Sequence, residues 1–170
     1  LEQFDLRINK KKILIFKQTL FYYKFNLCLP YVSWFGSKAC KLKDLKNIDL
    51  LRAIKNKKYP FFRLDTLFSD IKYQSVNLVS NGGWHFSNLK NVEELERKFL
   101  NDENHSEYEL QGFDIDRIKE NIKNRSIDYN HNAKQDSLDR FSPTKLQVAD
   151  IDILPNYLKK NLDKYKEWFD

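Results

Sequence analysis

The chain has 170 residues, enough for one domain with its own core, and its 41% hydrophobic and 15% aromatic content places it among folded globular proteins despite 32% charged residues. Its formal charge of +6 is uneven: residues 1–60 hold fourteen Lys or Arg against four Asp or Glu, which leaves the remainder slightly acidic. No apolar run reaches the roughly 18 residues that cross a bilayer, because Ile13 to Phe25 is interrupted by Lys17, Gln18, Thr19 and Lys24, so a transmembrane segment is excluded for this sequence.

Residues 13–27 are rich in β-branched and aromatic types, and Pro30 punctuates their end, which predicts one long or bulged strand. A second, short strand is expected from the Trp34-Phe35-Gly36 region toward Leu42. Leu45, Ile48, Leu51 and Arg52 to Ile54 then fit a helical face, with Asp44 available to cap it or to charge its first turn and Pro60 beyond its end. Residues 71–79 read as a further strand, delivering the chain into Asn81-Gly82-Gly83.

Helices are expected from there on. Asn91 with Glu94 three residues later makes a capping box, followed by Val92, Leu95 and Phe99 on one face. Asp114 precedes a second stripe of Ile115, Ile118 and Ile122, and so reads as capping charge rather than as half of an acidic metal motif. Residues 124–150 carry no apolar period and are expected to form an irregular excursion or lid. Pro155 opens a last predicted helix bearing Leu158, Leu162, Tyr165 and Phe169. With strands early and helices late, the chain is read as a single domain over residues 1–170, helical toward its C-terminus.

Two short segments carry unusual chemistry. The first is Asn81-Gly82-Gly83-Trp84-His85-Phe86-Ser87. Adjacent glycines permit positive φ and close approach of a ligand; a Trp offers a flat face for a sugar or base, and a His a nitrogen active near neutral pH. The same residues also fit a tight turn whose Trp and Phe enter the core. The second segment, His105-Ser106-Glu107, falls in a predicted loop. Its imidazole and carboxylate can ligate a divalent cation, act as base and orienter for a hydroxyl, or form a solvated surface pair. His131, inside Tyr129-Asn130-His131-Asn132, reads as an ordinary loop histidine.

The basic N-terminal portion suits an anionic partner: a phosphate-bearing donor, nucleic acid or an acidic membrane surface; a merely solvated Lys-rich surface accounts for it equally well. Cys28 and Cys40, without a CxxC, indicate a reduced compartment or incidental buried thiols rather than a disulfide scaffold or zinc site. There is no nucleophile elbow, phosphate loop, dinucleotide fingerprint or HExxH. The absence of methionine points to a fragment or a processed chain.

In order along the chain, Tyr22-Tyr23-Lys24-Phe25-Asn26-Leu27, Trp34-Phe35-Gly36-Ser37-Lys38, the Gly-Gly-Trp-His-Phe-Ser stretch, His105-Ser106-Glu107-Tyr108 and Leu154-Pro155-Asn156-Tyr157-Leu158 resemble glycosyltransferase family 17, the β-1,4-mannosyl-glycoprotein β-1,4-N-acetylglucosaminyltransferase family. The resemblance differs at Asn88-Leu89-Lys90, where the family has an aromatic residue and glycines. The family's acidic D-x-D-E-I-P stretch would lie upstream, so the resemblance implies the C-terminal portion of a larger enzyme.

It further implies an α/β fold of GT-A type with a mixed sheet, and transfer of N-acetylglucosamine from a UDP-N-acetylglucosamine donor to a glycan acceptor with a divalent cation, Mn²⁺. Glu107 would be the base, with His105 as its catalytic neighbour, and His85 or His105 would contact metal or diphosphate. Trp34 and Trp84 would be sugar platforms, and Asn81, Gly82, Gly83 and Ser87 would complete substrate binding. A rival reading is a basic nucleic-acid-binding module built on Lys10 to Lys12, Lys17, Lys24 and the tyrosines. Another is a non-catalytic, glycan-binding relative of the transferases.

Overall fold

The computed structural model describes residues 13–72, 76–101, 114–133 and 137–170. The fold is α/β with a mixed sheet, and the chain divides into two compact units, Leu1–Gln18 with Ser33–Gly83 and Thr19–Val32 with Trp84–Asp170. Strands β1 (Ile13–Tyr22) and β2 (Leu27–Cys40) neighbour each other in the sheet.

The single strand predicted over 13–27 is therefore two strands, and Pro30 lies exposed inside β2 rather than at a strand end. The antiparallel pairing of β2 with Gln147–Val148 covers only Leu27 and Cys28, so Pro30, which has no N–H to donate, comes just after the end of that ladder. The short strand expected near Leu42 is the continuation of β2, followed by a 3-10 turn at Leu42–Asp44.

In the first unit, β3 (Val76–Val79) runs parallel to the start of β1, pairing Ile13 with Val76 and Phe16 with Val79. Side chains alternate across the sheet, so both faces acquire apolar cover. Ile13, Ile15 and Val76 pack with Ile54, while Leu14 and Val79 form a separate cluster with Phe16 and Ala39. Helix α1 (Ile48–Ala53) starts at Asn47, whose side chain accepts from the Leu50 N–H at 2.7 Å; Asp44 is not its cap. At the other end the Lys38 ammonium donates to the carbonyls of Arg52 and Ile54, both at 2.6 Å, which satisfies two acceptors the helix cannot.

In the second unit, β4 (Trp84–Ser87) runs parallel to the end of β1, and the start of β2 pairs antiparallel with β7 (Gln147–Val148). Helix α2 (Val92–Leu100) has the predicted capping box, with Asn91 accepting from the Glu94 N–H at 2.8 Å and Glu94 accepting from the Asn91 N–H. Asp114 caps α3 (Ile115–Lys123) through the Arg117 N–H. The two helices pack together and bury Leu95, Phe99 and Ile118.

The described residues of 124–150 are more ordered than their sequence predicts. A two-stranded ladder of β5 (Ser126–Ile127) and β6 (Thr144–Lys145) runs through them, with Ile127 and Leu146 buried. Two-residue strands are too short to show a period. The predicted last helix is also broken: Pro155 is the N-cap of α4 (Asn156–Lys159), not its first residue, and a kinked 3-10 segment follows at Asp163–Trp168 with Tyr165 outside helical geometry. One core cluster of this unit is Phe21, Cys28 and Leu154, lined by Phe86, Ala149 and Phe169. Among the described residues no helix is long and apolar enough to cross a membrane.

Candidate functional site

The Gly-Gly-Trp-His segment is put to structural use before any ligand is considered. Asn81 adopts a left-handed φ of 53°, which Asn tolerates better than most residues, and Gly83 has φ of 122°. Gly82 donates its N–H to the Lys17 carbonyl at 2.8 Å, and a Cβ on it would lie 2.7 Å from the Cβ of Phe16. Both glycines are thus required by the turn after β3. Trp34, in the first unit, lays its indole across Gly36, where no larger residue could sit without moving the ring.

Strand geometry then sorts the rest of the motif. Register pairs Thr19 with Trp84, Leu20 with His85, Phe21 with Phe86 and Tyr22 with Ser87. Laterally paired residues share a face and successive residues alternate. Trp84 and Phe86 therefore share the face of Phe21, whose ring stacks on Phe86 at 5.0 Å between centroids. The Trp84 indole N–H donates to the Ile153 carbonyl at 2.6 Å, which fixes a ring that is still 42% exposed.

His85 and Ser87 point to the other side, together with Tyr22. The pleat brings His85 and Ser87 together and separates both from Trp84.

On that second face lies a pair the sequence reading passed over. The Tyr22 hydroxyl and His131 Nε2 share a 2.8 Å hydrogen bond whose donor depends on the imidazole tautomer. Tyr129 stands edge-on to the same imidazole, 4.8 Å between centroids. Burial lowers the pKa of His131 below the ordinary histidine value, and burial does the same to His85. Both rings are accordingly held neutral at pH 7, able to donate from one nitrogen and accept at the other.

The segment carrying His131 is itself anchored. The carboxylate of Asp128 accepts from Arg117 Nε at 2.9 Å and Nη2 at 2.8 Å, and from Asn121 Nδ2 at 2.6 Å. Ser126 in turn donates to Asn121, so every member of the buried set is bonded. The local signal was present in the sequence as an Arg and an Asp eleven residues apart, but nothing there indicated that they meet.

Beyond the carboxyl end of β4, Lys90, Glu94, Arg97, Lys98 and Asn101 line an open cavity of about 320 Å³. Lys98 donates to the Asn88 side chain at 2.6 Å and is held there. Three cationic side chains beside a strand terminus can hold an anionic group.

His105, Ser106 and Glu107 lie outside the described residues, as do Lys10 to Lys12. Of the other lysines in the nucleic-acid reading, Lys17 is exposed in the first unit, and Lys24 in the second donates to the Glu167 carbonyl. Both cysteines are free thiols. Among the described residues no three His, Cys, Asp or Glu side chains gather in a way that could hold a metal ion. No protein-family model, no curated protein and no solved structure matches the chain, so the likeness to glycosyltransferase family 17 rests on the residues quoted above.

Proposed function

We propose that the chain is part of a glycosyltransferase of GT-A type that moves N-acetylglucosamine from UDP-N-acetylglucosamine to a sugar hydroxyl of a glycan. The observation that carries this reading is the polar and aromatic face at the carboxyl ends of the parallel strands β1 and β4, where Tyr22, His85 and Ser87 lie on one side and His131 bonds Tyr22. Ligands of open α/β sheets bind beyond the carboxyl ends of parallel strands. Neutral imidazoles, hydroxyls and tyrosine rings suit a sugar, whose surface alternates hydroxyls with apolar C–H patches. The cavity lined by Lys90, Arg97 and Lys98, whose one carboxylate, Glu94, is engaged by the Asn91 N–H in the capping box, suits a diphosphate.

In the reaction, the acceptor hydroxyl oxygen bonds to the anomeric carbon as the bond from that carbon to the diphosphate oxygen breaks, and the hydroxyl proton passes to a base. Glu107 is the proposed base with His105 beside it, while Trp84, its ring fixed through Ile153, is a platform for a sugar. The described residues alone do not fit a divalent cation, and no step here depends on one.

The test is calorimetric binding of UDP-N-acetylglucosamine together with transfer of labelled N-acetylglucosamine to glycans, with Mn²⁺ supplied. Glu107→Gln is expected to lower transfer by about 10²- to 10⁴-fold and to leave donor binding intact. His85→Ala is expected to weaken donor binding about threefold to tenfold, the worth of one or two hydrogen bonds. Glycan binding without transfer would select the non-catalytic relative. Absence of donor binding, transfer and glycan binding would refute the proposal.

A further inference from the structure

The first unit exposes an apolar tip that its own fold does not use. Between Lys55 and Ile71 the chain leaves and returns to one point, where the Lys55 N–H donates to the Ile71 carbonyl at 2.8 Å. Within this closed loop, Arg63 N–H donates to Pro60, Thr66 N–H to Arg63 and Leu67 N–H to Leu64, each close to 3.1 Å, which winds residues 60–67 into consecutive tight turns. Thr66 is buried and its hydroxyl donates to the Arg63 carbonyl at 2.6 Å, so the turn has an inside and its shape is set.

The outside is apolar. Phe61 is 87% exposed and Phe68 90%, and Phe62, Leu64 and Leu67 are each more than two-thirds exposed. Five such side chains present on the order of 600 Å², at or above the largest patch usual on a monomer.

The net charge around this tip is positive. No acidic residue occurs between Asp49 and Asp65, while Arg52, Lys55, Lys57, Lys58 and Arg63 do, and the three lysines are exposed. The loop's own acids are occupied: Asp65 accepts from Arg63 at 2.7 and 2.8 Å and from Lys72 at 2.9 Å, and Asp70 pairs with Lys46 at 2.7 Å. The described residues of the first unit carry eleven Lys or Arg against four Asp.

A protein groove that takes a helix or strand reads one stripe of side chains, at every third or fourth residue or at every second. Phe61, Leu64, Leu67 and Phe68 have helical spacing in the sequence, but the loop winds as tight turns with only a three-residue 3-10 helix at Leu64–Thr66, so they are not presented as the stripe of a helix or a strand. Aromatic and leucine side chains on a turn, ringed by lysines, are instead complementary to a surface that is anionic outside and apolar beneath.

We infer that the loop Lys55–Ile71 docks this protein on an anionic lipid bilayer, with Phe61, Phe62, Leu64, Leu67 and Phe68 entering the headgroup region and Lys55, Lys57 and Lys58 resting on lipid phosphates. This does not depend on the sugar-transfer reading, and it places the protein at a membrane surface without crossing it.

The test is co-sedimentation of the purified chain with vesicles of phosphatidylcholine alone and with vesicles that include about one-third phosphatidylserine. Anionic vesicles are expected to bind at least about tenfold more tightly, with the preference weakened in about 0.5 M salt. The double variant Phe61→Ser/Phe68→Ser is expected to lose about tenfold or more through lost insertion, and Lys57→Gln/Lys58→Gln on the order of 30-fold on anionic vesicles alone. All these side chains are exposed, so circular dichroism should be unchanged.

Equal binding to both vesicle types, or none, would overturn the inference. So would an unaltered affinity of the phenylalanine variant, which would reduce the patch to a nonspecific cationic surface open to nucleic acid. A concentration-dependent dimer abolished by that variant, without vesicle binding, would assign the tip to self-association and overturn it as well.

Discussion

Replacing Gly82 by Ala separates the two possible reasons for the paired glycines. The added Cβ would stand 2.7 Å from the Cβ of Phe16, 2.9 Å from its Cα and 3.0 Å from the Lys17 nitrogen. Two of these three neighbours are backbone atoms of β1, and the third is fixed directly to that backbone. Relief therefore requires moving the strand or stretching the 2.8 Å bond from Gly82 to the Lys17 carbonyl. Overpacking of this kind costs about 1–3 kcal/mol. Ala in place of Gly returns about 0.4–1 kcal/mol by restricting the unfolded chain, so the net loss should be about 1–2 kcal/mol. Gly83→Ala meets only an ordinary van der Waals contact, Gln18 Nε2 at 3.6 Å, but forces a Cβ onto φ of 122°; a loss of about 1–2 kcal/mol is expected there too, through strain alone. Urea unfolding followed by tryptophan fluorescence measures both. A Gly82→Ala variant as stable as the parent, yet unable to bind a ligand the parent binds, would show that the glycine serves a ligand's approach and would refute the packing argument.

The lowered pKa values of His85 and His131 predict acid sensitivity: below about pH 6.5 the unfolded chain binds protons that the folded rings resist, so stability falls as pH falls toward the folded-state values. Thermal melts between pH 7 and 5 should show a shallower decline for His131→Gln than for the parent, and an identical slope would count against the assigned direction. Arg117→Ala leaves a carboxylate whose side chain is only 8% exposed without its main partner; since Arg117 itself is 40% exposed, the loss should be about 2 kcal/mol, below the range for fully buried pairs. A double-mutant cycle with Asp128→Ala should return a coupling of about 1 kcal/mol or more, and additivity would dissolve the pair. Asn91→Ala removes the capping box and should cost about 1 kcal/mol in the same unfolding assay.

What the sequence makes legible is what short-range physics decides. The capping box at Asn91 and Glu94, the Leu95 and Phe99 stripe and the cap at Asp114 all depend on residues within one or two helical turns, and all are present. The reversal between β1 and β2 is invisible by the same logic. It contains none of the Asn-Gly or Asp-Gly signals of a hairpin, and Tyr23 takes φ of 64° at its start. What holds it comes from the far end of the chain. Phe25 N–H donates to the Trp168 carbonyl at 2.8 Å, and the Asn26 side chain accepts from the Asp170 N–H at 2.9 Å. The same contacts mark where the last helical segment stops, since Phe169 leaves helical geometry and packs 5.7 Å from Phe25.

The candidate site divides along the same line. Gly82, Gly83, Trp84 and His85 are contiguous, and contiguity invites the inference that they serve one ligand. A strand denies this to neighbours, because its pleat sends Trp84 toward Phe21 and Phe86 while His85 faces the side of Tyr22 and Ser87. The residue that completes the His85 side, His131, is drawn in from 109 positions beyond Tyr22 by a hydrogen bond that no local pattern encodes. The motif is thus one word in the sequence and two surfaces in the fold. Trp84→Ala and His85→Ala should accordingly act independently on ligand binding, each without altering the effect of the other beyond about 0.5 kcal/mol. A strong coupling measured between them would mean that a single ligand spans the strand edge and touches both faces.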